Sequence, residues 1–159
     1  IENCHEAPLE TAVPAVLPPD VPRVTPAELA RLLATGEARV VDVGRSLAFR
    51  AGHIPGAVWG IRTRLRRVAA EVSAARRVVV AGPDTRVVAL AVNELRGFLG
   101  VAVAALEGGT QAWADAGFAL ESTRANPSDE ACVDAWLRPY DRTNGVDEAM
   151  RAYLAWEVG

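Results

Sequence analysis

Three short runs of β-branched and small apolar residues constrain the fold of this chain more than any other feature. The runs cover residues 38–43, 77–81 and 101–106. Around them, residues 26–34, 62–74, 86–98 and 109–116 carry apolar side chains at helical spacing. Strands of continuous apolar character that alternate with helices are typical of a parallel sheet covered on both faces. The sequence therefore predicts an α/β core over about 22–120.

The first helix of this core has a clear start signal. Thr25 precedes Pro26, which suits the first helical position because proline lacks the N–H that would be unpaired there. Glu28 stands three residues after Thr25, which is the spacing of a capping box. We expect Thr25 to cap a helix that ends near Ala34.

The two ends of the chain differ in composition from the core. Residues 1–21 are rich in proline and are expected to form an extended linker or arm. Residues 121–159 are expected to form a connector with a helix over about 146–157. One stripe of that helix carries Val146, Ala149, Met150, Tyr153 and Leu154. The stripe indicates packing, either against the core of this chain or against a following domain.

Charge and hydropathy exclude several classes of partner. The formal net charge is -3, which argues against a nucleic-acid partner and against binding to an anionic membrane. No apolar run approaches the roughly 20 residues of a membrane span, and glutamates interrupt the first ten residues where a secretory signal would need an apolar core. We expect a cytoplasmic protein. The basic cluster Arg62, Arg64, Arg66 and Arg67 fits either an anion-binding patch or an exposed helix face.

The cysteines and histidines do not form a recognisable ligand set. The two cysteines, Cys4 and Cys132, are far apart, and the chain contains no C-x-x-C pair. The two histidines, His5 and His53, are also widely separated. The sequence therefore predicts no metal site, no cofactor and no disulfide scaffold.

Three motifs in the core point to one family. The first is the strand Val-Val-Asp-Val-Gly-Arg at 40–45, the second is Phe-Arg-Ala-Gly-His-Ile-Pro-Gly-Ala at 49–57, and the third is Leu-Glu-Gly-Gly-Thr-Gln-Ala-Trp at 106–113. In order and spacing they resemble the rhodanese (sulfurtransferase) family across about 22–120. The resemblance implies an open parallel sheet of about five strands, with helices on both faces, an N-terminal arm and a C-terminal helical extension.

The motif residues are expected to act in the structure rather than in catalysis. Gly52 and Gly56 bracket a proline and predict a tight turn, and His53 between them is expected to make structural hydrogen bonds. Asp42 ends a strand at the edge of the sheet where α/β folds place their sites, and it either takes part in the site or caps loop amides. The full set is Asp42, Arg45, Gly52, His53, Pro55, Gly56, Glu107, Gly108, Gly109 and Trp113.

The residue that carries the chemistry of this family is missing. Active members of the family place a cysteine after the fourth strand, in a loop whose N–H groups and helix N-terminus stabilise a thiolate or a bound anion. The resemblance puts Gly82 in that position, or Ala81 or Pro83 if the register is shifted by one. None of the three is a nucleophile. The vestigial loop comprises Ala81, Gly82, Pro83, Asp84, Thr85 and Arg86.

The loop also differs from an anion cradle beyond the missing thiol. Pro83 lacks an N–H, and Asp84 brings a carboxylate to the place where an anionic substrate would bind. Arg86 is expected to be solvated or paired with Asp84. Cys132 lies about 50 residues further along without a basic neighbour, and is not expected to replace the lost nucleophile.

Segments 135–140 and 149–157 are similar to the connector between repeats in proteins built from several rhodanese domains. This resemblance implies a non-catalytic repeat of a larger sulfurtransferase, with neighbouring repeats or a second copy of the chain as partners. Two alternatives stay open. One is an active thiosulfate or 3-mercaptopyruvate sulfurtransferase that uses a nonstandard residue, and the other is a small-anion-binding module.

Overall fold

The computed structural model describes residues 16–158, so most of the predicted arm lies outside the described residues. A single sheet of five parallel strands forms the centre, in the order β1-β5-β4-β2-β3. The strands are β1 (Arg23–Val24), β2 (Ala38–Asp42), β3 (Val58–Trp59), β4 (Arg77–Ala81) and β5 (Ala102–Leu106). The predicted α/β fold with about five parallel strands is confirmed.

Helices cover both faces of the sheet, because the strands bury side chains on both sides. The helices are α1 (Pro26–Ala34), α2 (Ser46–Ala51), α3 (Leu65–Val72), α4 (Thr85–Phe98), α5 (Gly109–Asp115) and α6 (Val146–Val158). Val78 and Val80 of β4 pack with α3 and α4 on one face. Val79 packs on the other face, with residues of α1, α2 and α5. Each such side chain contributes roughly 1.5–3 kcal/mol by leaving water.

The start of α1 is partly as expected. The Glu28 N–H donates to Thr25 Oγ1 at 3.2 Å, so Thr25 is the N-cap, as predicted. The expected capping box is wrong. The Glu28 carboxylate instead lies 3.6 Å from Arg77 Nη1 at the start of β4, which links the helix to the sheet.

The sequence pattern did not resolve the shortest elements. β1 and β3 contain two residues each and α2 contains six, too few to show a period. The helix predicted over 62–74 starts as a 3-10 turn, Arg62–Arg64, and continues as α3. The segment after the core holds two further 3-10 turns, Asp129–Ala131 and Pro139–Asp141.

A buried ion pair attaches residues 121–145 to the core. The guanidinium of Arg50, at the end of α2, donates to the Pro127 carbonyl and lies 2.9 Å from Asp129 Oδ1. The other carboxylate oxygen of Asp129 accepts the N–H of Thr143 at 2.8 Å and that of Asn144 at 3.3 Å. This one pair therefore ties α2 to two separate parts of the following segment.

The hydrogen bonds decide the charge of Asp129. Burial by itself would raise its pKa, but the Thr143 N–H, the Arg50 guanidinium and the Asn144 N–H outweigh that effect and hold the pKa at about 2. The carboxylate is therefore ionised across the neutral range. Its interactions stabilise the folded state above the ordinary pKa of 3.8, and they are lost as pH falls toward 2.

The last helix has little cover from the rest of the chain. Its main packing partner is the 3-10 turn at Pro139–Asp141. Met150, Tyr153 and Leu154 of the predicted apolar stripe are 37%, 38% and 50% exposed. Across residues 16–158, no helix combines the length and apolar character needed to cross a bilayer.

We predict that Asp129→Asn lowers the free energy of unfolding at pH 7 by about 3 kcal/mol, because it leaves the buried Arg50 guanidinium without its charged partner. Denaturant unfolding at pH 7, 4, 3 and 2 measures this. The difference from the original chain should shrink between pH 4 and pH 2, where Asp129 itself becomes protonated.

Glu94→Gln is the matched control, because the Arg62–Glu94 pair is half-exposed. Such a pair contributes less than about 1 kcal/mol. Equal effects of the two substitutions would contradict a special role for the buried pair.

Candidate functional site

The turn between β4 and α4 occupies the carboxyl edge of the sheet, where open α/β folds bind ligands. β4 is the central strand and ends at Ala81, and α4 begins at Thr85. Only residues 82–84 lie between them. The turn is therefore short, and one of its three residues, Pro83, has no backbone N–H.

Gly82 is packed tightly on all sides. A Cβ at this position would lie 3.0 Å from Val43 Cγ2 and 3.1 Å from Val88 Cγ2. Gly109 approaches from α5, and a Cβ built there would lie 2.5 Å from the Gly82 carbonyl oxygen. A side chain at position 82 would thus point into apolar groups, in a space that the neighbours already fill.

Asp84 fills the N-terminus of α4 with the chain's own carboxylate. Its Oδ1 accepts the Arg86 N–H at 2.8 Å and the Val87 N–H at 3.4 Å. The hydrogen bond from the Arg86 N–H is the main reason why the pKa of Asp84 is lowered. The Arg86 guanidinium is largely exposed and its Nε lies 3.6 Å from the same oxygen. The amides that an external anion would need are therefore already bonded to a negative group.

Asp42 lies buried beside this turn and connects two loops. Its Oδ1 accepts the Gly44 N–H at 2.8 Å, and its Oδ2 accepts the Thr110 hydroxyl at 3.1 Å. Burial raises the pKa of this carboxyl, against the opposing effect of those two hydrogen bonds. Asp42 therefore holds the β2–α2 loop against the start of α5.

Two cavities flank Pro83. One, of about 390 Å³, is lined by Asp42, Arg45 and Thr110 on its polar side and by Phe49 and Leu120 on its apolar side. The other, of about 300 Å³, is lined by Arg45, Asp84 and Asp134 among others. Neither of these two cavities has a cysteine in its lining. The charged groups present are the carboxylates, the exposed Arg45 and, in the smaller cavity, Arg62, which pairs with Glu94.

His53 lies behind the wall of the larger cavity, without lining it, and serves the packing of the extension. Its ring stacks on Phe49, with centroids 3.8 Å apart, and its Nδ1 donates to the Phe49 carbonyl at 2.7 Å. Its backbone exchanges two hydrogen bonds with Glu121. Gly56, in the turn after Pro55, has a φ of +72° and donates its N–H to the Glu121 carboxylate at 3.3 Å. Gly52 ends α2 and lies against Leu120.

The third motif forms the sharp entry into α5. Gly108 and Gly109 have φ values of +68° and +61°, a region that side chains other than glycine rarely adopt. Trp113 is buried, packs on Phe118 and donates its Nε1–H to the Ala119 carbonyl at 2.9 Å. Glu107 is exposed and takes part only through its backbone N–H, which donates to Val24.

Among the described residues, the one cysteine lies outside this site. Cys132 is buried, and its Sγ lies 3.9 Å from the Pro127 carbonyl in the segment held by Arg50. Cys4 lies outside the described residues.

Sequence reasoning missed several residues that shape the site. Thr110 was not singled out, although it follows the two glycines at the same sheet edge as Asp42. The valines that enclose Gly82 carried no signal beyond being apolar. Asp134 was also missed, and its carboxylate accepts the Ser46 N–H at 2.8 Å at the start of α2. Only the fold brings residues 88 positions apart into contact.

Comparisons with known proteins agree on one family. The family model of the rhodanese-like domain matches residues 25–116. A thiosulfate sulfurtransferase from Pseudomonas aeruginosa is similar in structure, with 32% identity and a TM-score of 0.70 over 89% of this chain and 27% of that chain. The chain thus spans about a quarter of that protein. A search among curated proteins gave no match.

Two further solved structures are similar. The Alr3790 protein from Anabaena shares 27% identity with a TM-score of 0.55, over 62% of this chain and 82% of that chain. A rhodanese-related protein from Thermoplasma volcanium shares the fold at 21% identity, with a TM-score of 0.55, over 63% of this chain and 97% of that chain.

We predict that Asp84→Ala lowers the thermal midpoint by roughly 2–4 °C, because α4 loses its N-cap. Asp84→Asn should retain most of the stability, since asparagine caps a helix almost as well as aspartate. Thermal unfolding followed by circular dichroism measures both. Equal midpoints for the original chain and Asp84→Ala would show that this carboxylate does not stabilise the turn.

Proposed function

The chain belongs to the rhodanese-like domain family, and from that premise we propose that it is a non-catalytic member, one repeat of a larger thiosulfate sulfurtransferase with a structural or regulatory role. The observation that carries the proposal is the β4–α4 turn. Gly82 stands where the family has its nucleophile, and the Asp84 carboxylate binds the amides at the start of α4.

The missing thiol removes the covalent step. Sulfur transfer in this family proceeds when a cysteine thiolate attacks the outer sulfur of a donor and holds it as a persulfide. Gly82 has no side chain, and Ala81 and Pro83 on either side carry no nucleophilic atom. If the match to the family is shifted by one residue, the position of the cysteine therefore still holds no nucleophile.

The surroundings disfavour an anionic donor as well. Asp84 is ionised at neutral pH because its pKa is lowered, and it repels a second negative charge at the same place. Pro83 contributes no N–H. Arg86 pairs with Asp84, which reduces the positive charge available to a ligand. These features weigh against the small-anion module as well as against an active enzyme.

Cys132 is a poor substitute nucleophile. The residue is only 3% exposed and its Sγ lies 3.9 Å from the Pro127 carbonyl oxygen, so a sulfur donor cannot reach it from solvent. A buried free thiol also suits a reducing compartment, which supports our proposal of a cytoplasmic location.

The repeat hypothesis implies a division of the chain. We propose residues 1–21 as an incoming linker, 22–120 as the domain and 121–159 as the outgoing connector, of which the part up to about residue 145 packs on the domain. The similarity to a protein roughly three times as long is consistent with a module inside a larger chain. In this arrangement a sibling repeat supplies the cysteine, and the present module positions or regulates it.

The proposed partner surface lies on the connector. Trp136 and Trp156 are 76% and 78% exposed, and Leu154 is 50% exposed. Most of the large hydrophobic side chains that are exposed in the described residues lie in this segment, and exposed apolar patches mark contact surfaces. We propose that a neighbouring repeat covers them in the parent protein, and that in the isolated chain a second copy does.

We predict no thiosulfate-to-cyanide sulfur transfer by this chain above that of an unrelated control protein. Thiocyanate release, with and without alkylation of cysteines, measures this. Turnover that alkylation abolishes would overturn the proposal and assign the activity to a cysteine elsewhere in the chain.

The same assay on Gly82→Cys should give no more activity than Gly82→Ser, its matched control. The new sulfur would lie among Val43 and Val88, and the amides of α4 would remain bonded to Asp84. Robust turnover by Gly82→Cys would show that only the nucleophile has been lost.

We predict that the isolated chain self-associates with rising concentration, and that the double substitution of Trp136 and Trp156 by alanine keeps it monomeric. Light scattering across a concentration series measures this. Leu90→Ala is the control, because Leu90 is 45% exposed on α4, outside the connector. If the double variant associates as the original chain does, the connector is not the contact surface.

A further inference from the structure

A groove runs along the free edge of the sheet, separate from the β4–α4 turn. β3 is the last strand of the sheet, and residues 56–61 form one side of a cavity of about 520 Å³. The start of α3 borders it on one side and residues 126–128 border it on the other. We name this cavity, with residues 56–61 as its floor, the β3-edge groove.

The floor of the groove presents backbone that the rest of the described chain leaves available. β3 pairs with β2 on one side only, and no strand within residues 16–158 pairs with its other side. An edge strand exposes N–H and C=O groups at alternate residues, and these groups accept an added strand. Three groups of the floor are already bonded: the Gly56 N–H donates to the Glu121 carboxylate, the Ala57 N–H donates to the Ile54 carbonyl, and the Ile61 carbonyl accepts the Arg64 N–H. The backbone available to an added strand is therefore centred on Trp59.

Arginine side chains give the groove its charge. Arg39 of β2, Arg64 and Arg67 all line it, are exposed and have no ion pair with any described residue. Two glutamates also line the groove. Glu121 bonds the Gly56 N–H, and Glu71 lies one helical turn beyond Arg67. The three arginines exceed the two carboxylates, so the groove favours an anionic occupant.

We propose that the β3-edge groove binds an extended acidic peptide of a partner protein, which adds a sixth strand to the sheet beside β3. Backbone hydrogen bonds to β3 would hold the peptide, and carboxylates at alternate positions would face Arg39, Arg64 and Arg67. The proposal does not rest on sulfur chemistry. It holds for an inactive and for an active module alike.

The shape of the groove favours a peptide over a small anion. Residues 57–61, which follow the left-handed turn at Gly56, span at most roughly 16 Å at about 3.3 Å a residue, still longer than a phosphate or a small dicarboxylate. The arginines also come from β2 and from the start of α3 rather than from one loop, so they border the groove instead of enclosing a point. A strand-like ligand meets both the free edge and the arginines.

Fluorescence anisotropy of a labelled octapeptide with alternating glutamate and valine, titrated with the full chain at low salt, tests the proposal. We expect saturable binding that weakens as salt is added. The same peptide with lysine in place of glutamate should not bind. Inorganic phosphate at equal charge concentration should compete no better than chloride at the same ionic strength.

Two N-methylated forms of the peptide test the backbone pairing. Methyl groups on all glutamate nitrogens or on all valine nitrogens block opposite edges of the added strand. Binding should survive in one form and disappear in the other. Equal binding by both forms, or full competition by phosphate, would overturn the proposal in favour of a nonspecific or small-anion site.

Substitutions locate the binding. Arg64→Gln and Arg67→Gln should each weaken peptide binding about two- to five-fold, the range expected for one exposed ion pair. Arg66→Gln is the matched control, because Arg66 is on the same helix but stacks over Phe98, away from the groove. Binding that is unchanged by the first two substitutions, or equally weakened by the third, would also overturn the proposal.

Discussion

The central strand β4 is buried on both faces, and the position of the functional edge depends on that burial. Val78, Val79 and Val80 are fully enclosed, so the strand cannot shift without exposing apolar surface on one face or the other. Its carboxyl end is therefore fixed. The three-residue turn that follows must pass beside Gly109. A Cβ at position 109 would collide with the Gly82 carbonyl oxygen, so position 109 has no space for a side chain. Backbone packing therefore fixes the position of the site, whatever polar groups surround it.

Polar contacts attach the segment that follows the core to α2, which itself packs on the sheet. Arg50 and Ser46 belong to α2, and they bind Asp129 and Asp134 of the segment that follows the core. His53 adds a backbone bridge to Glu121. Each contact joins a motif near the sheet to a residue that lies far along the chain. The extension up to about residue 145 is consequently part of the folded unit, whereas α6 packs mainly on the adjacent 3-10 turn.

The sequence supported the fold class well and the short elements poorly. The apolar patterns of β4 and α4 extend over enough residues for the sequence alone to predict a strand and a helix. β3 and α2 contain only two and six residues, too few to show a hydrophobic period, so the sequence alone does not predict them. Tertiary contacts position both elements. The position of Gly82, Pro83 and Asp84 in the turn between β4 and α4 was predictable from the order of strands and helices. The bonds between Asp42 and Thr110 and between Arg50 and Asp129 were not, because they join residues whose distance in sequence carries no local signal.

The turn at residues 82–84 is stabilised by a carboxylate of the chain itself. An N–H at the start of a helix binds one strong acceptor at a time, so Asp84 and an external anion compete for the same amides. In an active cradle that competition would slow the enzyme, because every anion would first have to displace the carboxylate. In a turn without a nucleophile the Asp84 carboxylate slows no reaction, and it stabilises α4 as a helix cap. These amides can bind either a ligand or a capping group of the chain itself. In this chain they bind the Asp84 carboxylate, which stabilises the start of α4.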